Sequence, residues 1–415
     1  MTRLLGLLLC LATTPALAAD TIKIALTGPY SGGSAPMGAS TRDGSKLAIK
    51  EINDAGGIQV GAKKLKIEIV ERDDEAKNER GALIAQELAA MADLSGVIGS
   101  VNTGVVMAGD KHLQEKGLTK IICPAAGSLS MTQWVDKPAK EDKPAVPGPK
   151  ELFIFRFAAY DGVQADLVVS EATARGLTKV AIFHDDTNYG VSGRDDMLAQ
   201  IKKQGDKITV LTLEKFKIGD KDMTAQLLKA KSLGAQAILI WAIGPEEAAV
   251  SNGMAKLGMK IPMIGGWTLS MSNYIDNAGA NGNGTMMPQT FIEEPITPRA
   301  KTFIDSYHKA YGVTRIPSAV AAAQGYDAAL IFAAAVKQAG STDSRKIRDA
   351  LEDLKEPVEG VIARWERPYR KWDPTDVTSH EAFRREQTVM GMVKDGRVVF
   401  ANEADKARLQ KRGAK

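Results

Sequence analysis

Cysteine, histidine and aromatic residues are scarce in this chain of 415 residues, which holds 2 cysteines, 4 histidines and 6% aromatics. Cys10 lies in the amino-terminal leader and Cys123 beyond it, so no internal disulfide can close and stability must come from core burial. His112, His184, His308 and His380 lack the close spacing of a zinc-binding helix. No Gly-x-Ser-x-Gly elbow, Walker loop or Rossmann glycine fingerprint occurs. Charge of one sign is missing too: 54 Lys and Arg against 50 Asp and Glu leave +4, too weak and dispersed for a nucleic-acid footprint. No cofactor, metal or polyanion partner is expected.

What is present is ordinary globular composition, 44% hydrophobic and 25% charged, at a length that predicts two domains. The first residues differ. Arg3, the apolar run Leu4 to Leu11, and Ala16-Leu17-Ala18 before Ala19-Asp20 read as an export signal over 1–19, cleaved near Ala18 or Ala19. The run is well short of the ~20 residues that span a bilayer. Cys10 follows Leu9 rather than a small residue, which argues against a lipid anchor.

Beyond the leader, apolar runs alternate with amphipathic stretches. Ile22 to Leu26, Leu65 to Ile69, Val97-Ile98-Gly99 and Lys120-Ile121-Ile122 read as strands, with helical stripes at Gly44, Leu47, Ala48, Ile52 and at Leu83, Ile84, Leu88, Met91. A second series follows: Val180 to Phe183, Ile208 to Leu213, Ala237 to Trp241 and Met263-Ile264. Repeated βαβ units predict parallel, doubly wound sheets, and two series predict two lobes. Between Gln133 and Lys150 four prolines among charged residues predict a surface insertion. The charged tail up to Arg385 reads as solvated surface, and Lys394-Asp395-Gly396 as the turn of a final hairpin.

Open parallel sheets bind ligands at the carboxyl ends of their strands. Five such loops carry small, polar or aromatic residues: Gly99 to Thr103, Pro124 to Ser128, Asp185 to Tyr189, Trp241 to Pro245 and Gly265 to Thr268. Each has an ordinary structural role as well, Thr103 and Ser128 as helix caps, Tyr189 and Trp241 as rim packing. Gly28-Pro29-Tyr30-Ser31-Gly32-Gly33 reads equally as an anion-facing loop or a flexible connection. His184-Asp185-Asp186 suggests a metal, or a hydrolase, but aspartates there more often cap the next helix. Cys123 reads as a buried strand end rather than a catalytic thiol.

The runs Thr21 to Gly32, Glu51-Ile52-Asn53-Asp54-Ala55-Gly56-Gly57-Ile58, Val97-Ile98-Gly99-Ser100 and Asn188-Tyr189-Gly190 resemble the branched-chain amino-acid-binding (type I periplasmic binding protein) family, the receptors of ABC importers. The resemblance implies an α/β fold of two Rossmann-like lobes joined by three crossings, a monomeric periplasmic receptor and an inner-membrane permease partner. By it, lobe 1 takes 20–157 and 268–385, with the insertion at 133–150, and lobe 2 takes 158–267 and 386–415. Crossings are implied near Arg156 to Tyr160, near Gly266 to Leu269 and after Trp365. Thr103, Ala125, Ala126, Gly127 and Ser128 would hold a ligand carboxylate, with Asn102 also at the ligand; Tyr189 would reach the ligand from the second lobe, with Trp241 nearby and Met37 forming a deformable wall. Family members that bind α-amino acids typically carry a glutamate where this chain has Trp267. An ammonium buried without a negative partner is costly, so Trp267 predicts a small organic acid, aromatic in one version. An amino acid held by cation–π contact, a sensory module and an exported hydrolase are the alternatives.

Overall fold

The computed structural model describes residues 21–140 and 143–413, so the leader reading over 1–19, with Cys10, lies outside the described residues. Ile22, Ile24, Ala25 and Leu26 are all buried in β1 (Thr21–Gly28), the pattern of a parallel strand covered on both faces. There follow α1 (Ala35–Asp54), β2 (Ile58–Val60), β3 (Lys63–Asp73), α2 (Asn78–Ala90), β4 (Leu94–Ile98), α3 (Thr103–Lys116), β5 (Lys120–Ile122), α4 (Leu129–Thr132) and β6 (Ile154–Arg156). They form a six-stranded sheet ordered β2-β3-β1-β4-β5-β6, antiparallel only at β2–β3. In α2 the helical period is as read, but the buried stripe is Gly81, Ile84, Ala85 and Leu88, with Leu83 65% exposed.

The second lobe is built from α5 (Asp161–Ala174), β7 (Lys179–Asp185), α6 (Asn188–Lys203), β8 (Thr209–Phe216), α7 (Thr224–Ser232), β9 (Ala237–Trp241), α8 (Gly244–Lys256), β10 (Met263–Gly265), α9 (Ser272–Ala278) and β11 (Met286–Gln289). The chain then returns to the first lobe as α10 (Pro298–Tyr311), α11 (Ala319–Ala339), α12 (Ser344–Glu352) and the short pair β12 (Val358–Glu359) and β13 (Arg364–Trp365). It ends with β14 (Val389–Lys394), β15 (Arg397–Phe400) and α13 (Glu403–Gly413), completing a seven-stranded sheet ordered β15-β14-β11-β10-β9-β7-β8. Asp395 and Gly396, both at positive φ, make the two-residue turn between β14 and β15.

Helix α11 is apolar and long enough to cross a membrane, yet 83% of its most apolar window is buried, because it lies along α1 as a core helix. The two backbones touch at glycines: a Cβ on Gly44 would stand 2.0 Å from the Ala322 carbonyl oxygen, and one on Gly325 would stand 2.1 Å from that of Thr41.

Two expectations need correcting. The second crossing does not fall at Gly266 to Leu269, and residues 268–289 do not join the first lobe. Trp267–Ser270 is a single 3-10 turn, α9 packs on α8, and β11 pairs with β10 and β14 inside the second sheet. Buried Tyr274 pins this return, its hydroxyl bonding Ser251 at 3.0 Å and Thr285 at 2.7 Å. The crossing therefore comes after Gln289, and Pro288 inside β11 weakened the strand signal there. The charged tail is also not simply solvated: Tyr369, Trp372, His380, Glu381 and Phe383 are buried. Its Trp372 indole donates to the Pro149 carbonyl at 2.9 Å, tying tail to insertion. The insertion itself is an exposed arm whose rungs are Lys137 with Val146 and Lys140 with Lys143.

Candidate functional site

Loops from both sheets meet where their strands end, and an inner cavity of about 20 Å³ lies between them. Met37, Asn102, Ala126, Tyr189 and Trp267 line it, together with Ser34, Val101, Pro124, Ile243, Thr268 and Met271. Ser34 and Met271 lie outside every loop singled out from the sequence; Ser34 opens α1 and Met271 ends the 3-10 turn. A much larger space of about 970 Å³, bordered by Lys77, Asp220, Lys221 and Lys256, forms the outer mouth and shares Ser34, Asn102 and Ile243 with the inner cavity.

The first-lobe half is a set of hydrogen-bond donors. Thr103, the first residue of α3, is 1% exposed and its hydroxyl finds no partner among the described residues. Neither Thr103 nor Ser128 caps a helix with its side chain. Gly127 packs on Thr103 so closely that a Cβ would stand 2.3 Å from Thr103 Oγ1, which excludes any larger residue without displacing that hydroxyl. The amides of Gly127 and Ser128 also have no protein acceptor among the described residues, whereas that of Ala125 is spent on the Ser100 carbonyl at 3.2 Å. The Thr103 hydroxyl and these two amides are neutral donors without a protein partner among the described residues, a kind of group that suits an anion. The Ser128 hydroxyl is engaged elsewhere, donating across the cleft to Asp196 Oδ2 at 2.7 Å.

The second-lobe half is aromatic in front and acidic behind. Trp267 is 2% exposed, and its amide is held by Gln164 Oε1 at 3.1 Å. Trp241, expected at the ligand, is fully buried one layer back, its ring centroid 6.1 Å from that of Tyr189. Helix α6 reaches it through Gly193, where a Cβ would stand 2.1 Å from the indole. The Trp241 N–H faces Asp161 without closing to hydrogen-bond geometry, and both Asp161 oxygens are unpartnered among the described residues. Burial, with Asp196 adding to it, pushes the Asp161 carboxyl well above the usual range. Glu247 is fully buried as well; it accepts from Thr268 Oγ1 at 2.9 Å, and burial raises it strongly. Burial raises the Tyr189 hydroxyl too, with the Asp161 and Glu247 carboxyls adding to the effect. Sequence reasoning missed Asp161 and Glu247 because a charged residue shows its burial only in the fold.

His184 Nδ1 bonds the Asp185 carbonyl at 2.7 Å, and Asp185 Oδ1 takes the Thr187 amide at 2.9 Å just ahead of α6. Thr187 is the cap, accepting from the Gly190 amide. These residues serve the turn, and among the described residues no group of three His, Cys, Asp or Glu converges on one point. Cys123 is fully buried directly after β5, and burial raises its thiol.

The sequence profile described as periplasmic binding protein matches residues 21–373. The chain is similar to a Leu/Ile/Val-binding protein homolog of Brucella melitensis, 28% identical over 344 residues, or 82% of this chain and 85% of that protein. A solved periplasmic binding protein type 1 from Bordetella pertussis superposes with a TM-score of 0.76 at 24% identity, covering 92% of this chain and 99% of the other. A solute-binding protein from R. palustris, solved in complex with benzoate, superposes with a TM-score of 0.73 at 21% identity, covering 92% and 96%. At these identities the two structures establish a shared fold.

Proposed function

The chain belongs to the periplasmic binding protein family, and from that premise we propose that it is an exported receptor that closes two lobes on a small organic acid, foremost an aromatic carboxylate, and delivers it to an ABC permease. One observation supports the ligand class above others. The unpartnered Thr103 hydroxyl and Gly127 and Ser128 amides do not themselves line the inner cavity; they directly follow Asn102 and Ala126, which line it with Met37, Ile243, Trp267 and Met271. Fixed neutral donors replace the hydration of a carboxylate, while indole and thioether surfaces accept a flat apolar body. Asp161 and Glu247 do not oppose an anion, since burial favours their neutral, protonated forms. The benzoate held by the R. palustris protein is a precedent for this chemistry on the same fold.

A second reading, an α-amino acid, draws on those two carboxyls and on the Leu/Ile/Val-binding homolog. An ammonium placed against Asp161 would drive its proton off, so that binding would release a proton. Thermal unfolding with benzoate, 4-hydroxybenzoate, leucine and isoleucine separates the two. A ligand at about a hundred times its Kd stabilises by about 2.7 kcal/mol, a shift of several degrees. Benzoates raising the melting temperature, with no proton release by calorimetry in buffers of different ionisation enthalpy, is the expected outcome. Stabilisation by leucine alone, with proton release, replaces the first reading by the second.

A further inference from the structure

The donor loop is gripped from behind by a residue at the hinge. Arg156 ends β6 at the first crossing and is 1% exposed. Its Nη1 donates to the carbonyl oxygens of Ala126 at 3.0 Å and Gly127 at 2.8 Å. Its Nε donates to Glu381 Oε2 at 2.8 Å, and Nη2 bonds the other carboxylate oxygen. Glu381 lies on the approach to the third crossing, where the chain runs beside β6 and the Ala382 amide donates to the Arg156 carbonyl at 3.0 Å. One guanidinium thus joins the donor loop to two of the three crossings.

The geometry has a directional result. In a trans peptide the carbonyl and the N–H point to opposite sides. Drawing the Ala126 and Gly127 carbonyls onto Arg156 turns the amides of Gly127 and Ser128, which are their peptide partners, away from it. Since Glu381 neutralises the guanidinium, Arg156 contributes aim rather than net charge. A lysine cannot reproduce the fork, because its donors leave a single atom.

We infer that Arg156 is a positioning residue for anion binding, fixing the aim of the loop amides and, through Glu381, tying that aim to the hinge. This rests on the small-acid reading above.

Two variants test it. Arg156→Met with Glu381→Leu exchanges the buried pair for apolar side chains, a replacement that buried ion pairs often tolerate. The Ala126 and Gly127 carbonyls keep second donors in the amides of Asp161 and Ser130, each at 2.9 Å. Arg156→Lys keeps the charge and loses the fork. Melting temperature, hydrogen exchange across 126–128 without ligand, and benzoate affinity are measured on each. The double variant is expected to melt near the wild type, while its 126–128 amides exchange about tenfold faster and benzoate binds about tenfold more weakly. The lysine variant should show the same changes to a smaller degree. Wild-type exchange at 126–128 in a stable double variant, or in the lysine variant, overturns the inference. If the wild type binds no benzoate but the exchange difference is present, the small-acid reading fails, the anion-binding role falls with it, and what stands is that Arg156 orders the loop.

Discussion

Asp74 illustrates at the scale of one residue what burial does to an otherwise ordinary side chain. It follows β3, is 1% exposed, and accepts the Ala76 amide at 2.9 Å while its second oxygen has no partner among the described residues. Burial pushes its carboxyl up from 3.8 to about 6, with the Ala76 amide and Lys120 opposing and Asp73 adding to the rise. The folded protein therefore holds a proton there that the unfolded chain has released between about pH 4 and about pH 6. The stability contribution is complete below that window and lost as pH rises through the folded value. Asp74→Asn keeps the acceptor and never ionises, so urea unfolding should show a flatter pH dependence across the window and a more stable protein than wild type at pH ~7.5. An unchanged slope would contradict the assignment. The same blindness bears on the candidate site: Tyr189 and Trp267 stand in loops singled out by residue type and position, and Met37 enters through the family resemblance; all three line the inner cavity. Asp161, Glu247, Arg156 and Glu381 were not legible, because in sequence they are indistinguishable from solvated charges.

Among elements, legibility followed apolar density. β1, β4, β7 and β9 are runs of β-branched and aliphatic residues buried on both faces, and their reading needs no tertiary context. β2, β6 and β11 do not declare themselves although β5 and β10 are as short: β6 directly follows the proline-rich insertion and β11 holds Pro288. The tail was misread for a different reason: its anchors are isolated aromatics within a charged stretch. Trp365 is one, its indole donating to Asp327 of α11 at 2.8 Å beside Phe157 and Phe383. Asp327 also takes the amides of Val361 at 2.6 Å and Ile362 at 3.0 Å, so one buried carboxylate fastens the returning segment to the core helix. Trp365→Phe keeps the ring packing and deletes one donor. It should cost about 1–2 kcal/mol in denaturant unfolding with little change in ligand affinity; a loss of affinity at unchanged stability would show the tail acting directly on the cleft.

For the whole molecule, the two-lobed expectation holds, while the path by which the chain passes between lobes emerged only from strand pairing. Polar side chains join the lobes across the cleft. Ser128 bonds Asp196, and Asn273 Nδ2 donates to the Gly33 carbonyl at 2.8 Å. Ser128→Ala removes one of these bonds and leaves Asp196, already raised by burial, without its hydroxyl partner. The open population should grow, seen as a larger radius of gyration by solution scattering, and affinity should fall roughly threefold to tenfold. An unchanged radius and affinity would mean that closure does not use this bond. The inner cavity carries a kinetic corollary. At about 20 Å³ it has room for a single water, so a ring-sized guest fits only once the halves part and the deformable Met37 and Met271 walls give way. Capture is then paced by how often the halves swing apart, and crowding the medium with more solute cannot hasten it beyond that rhythm.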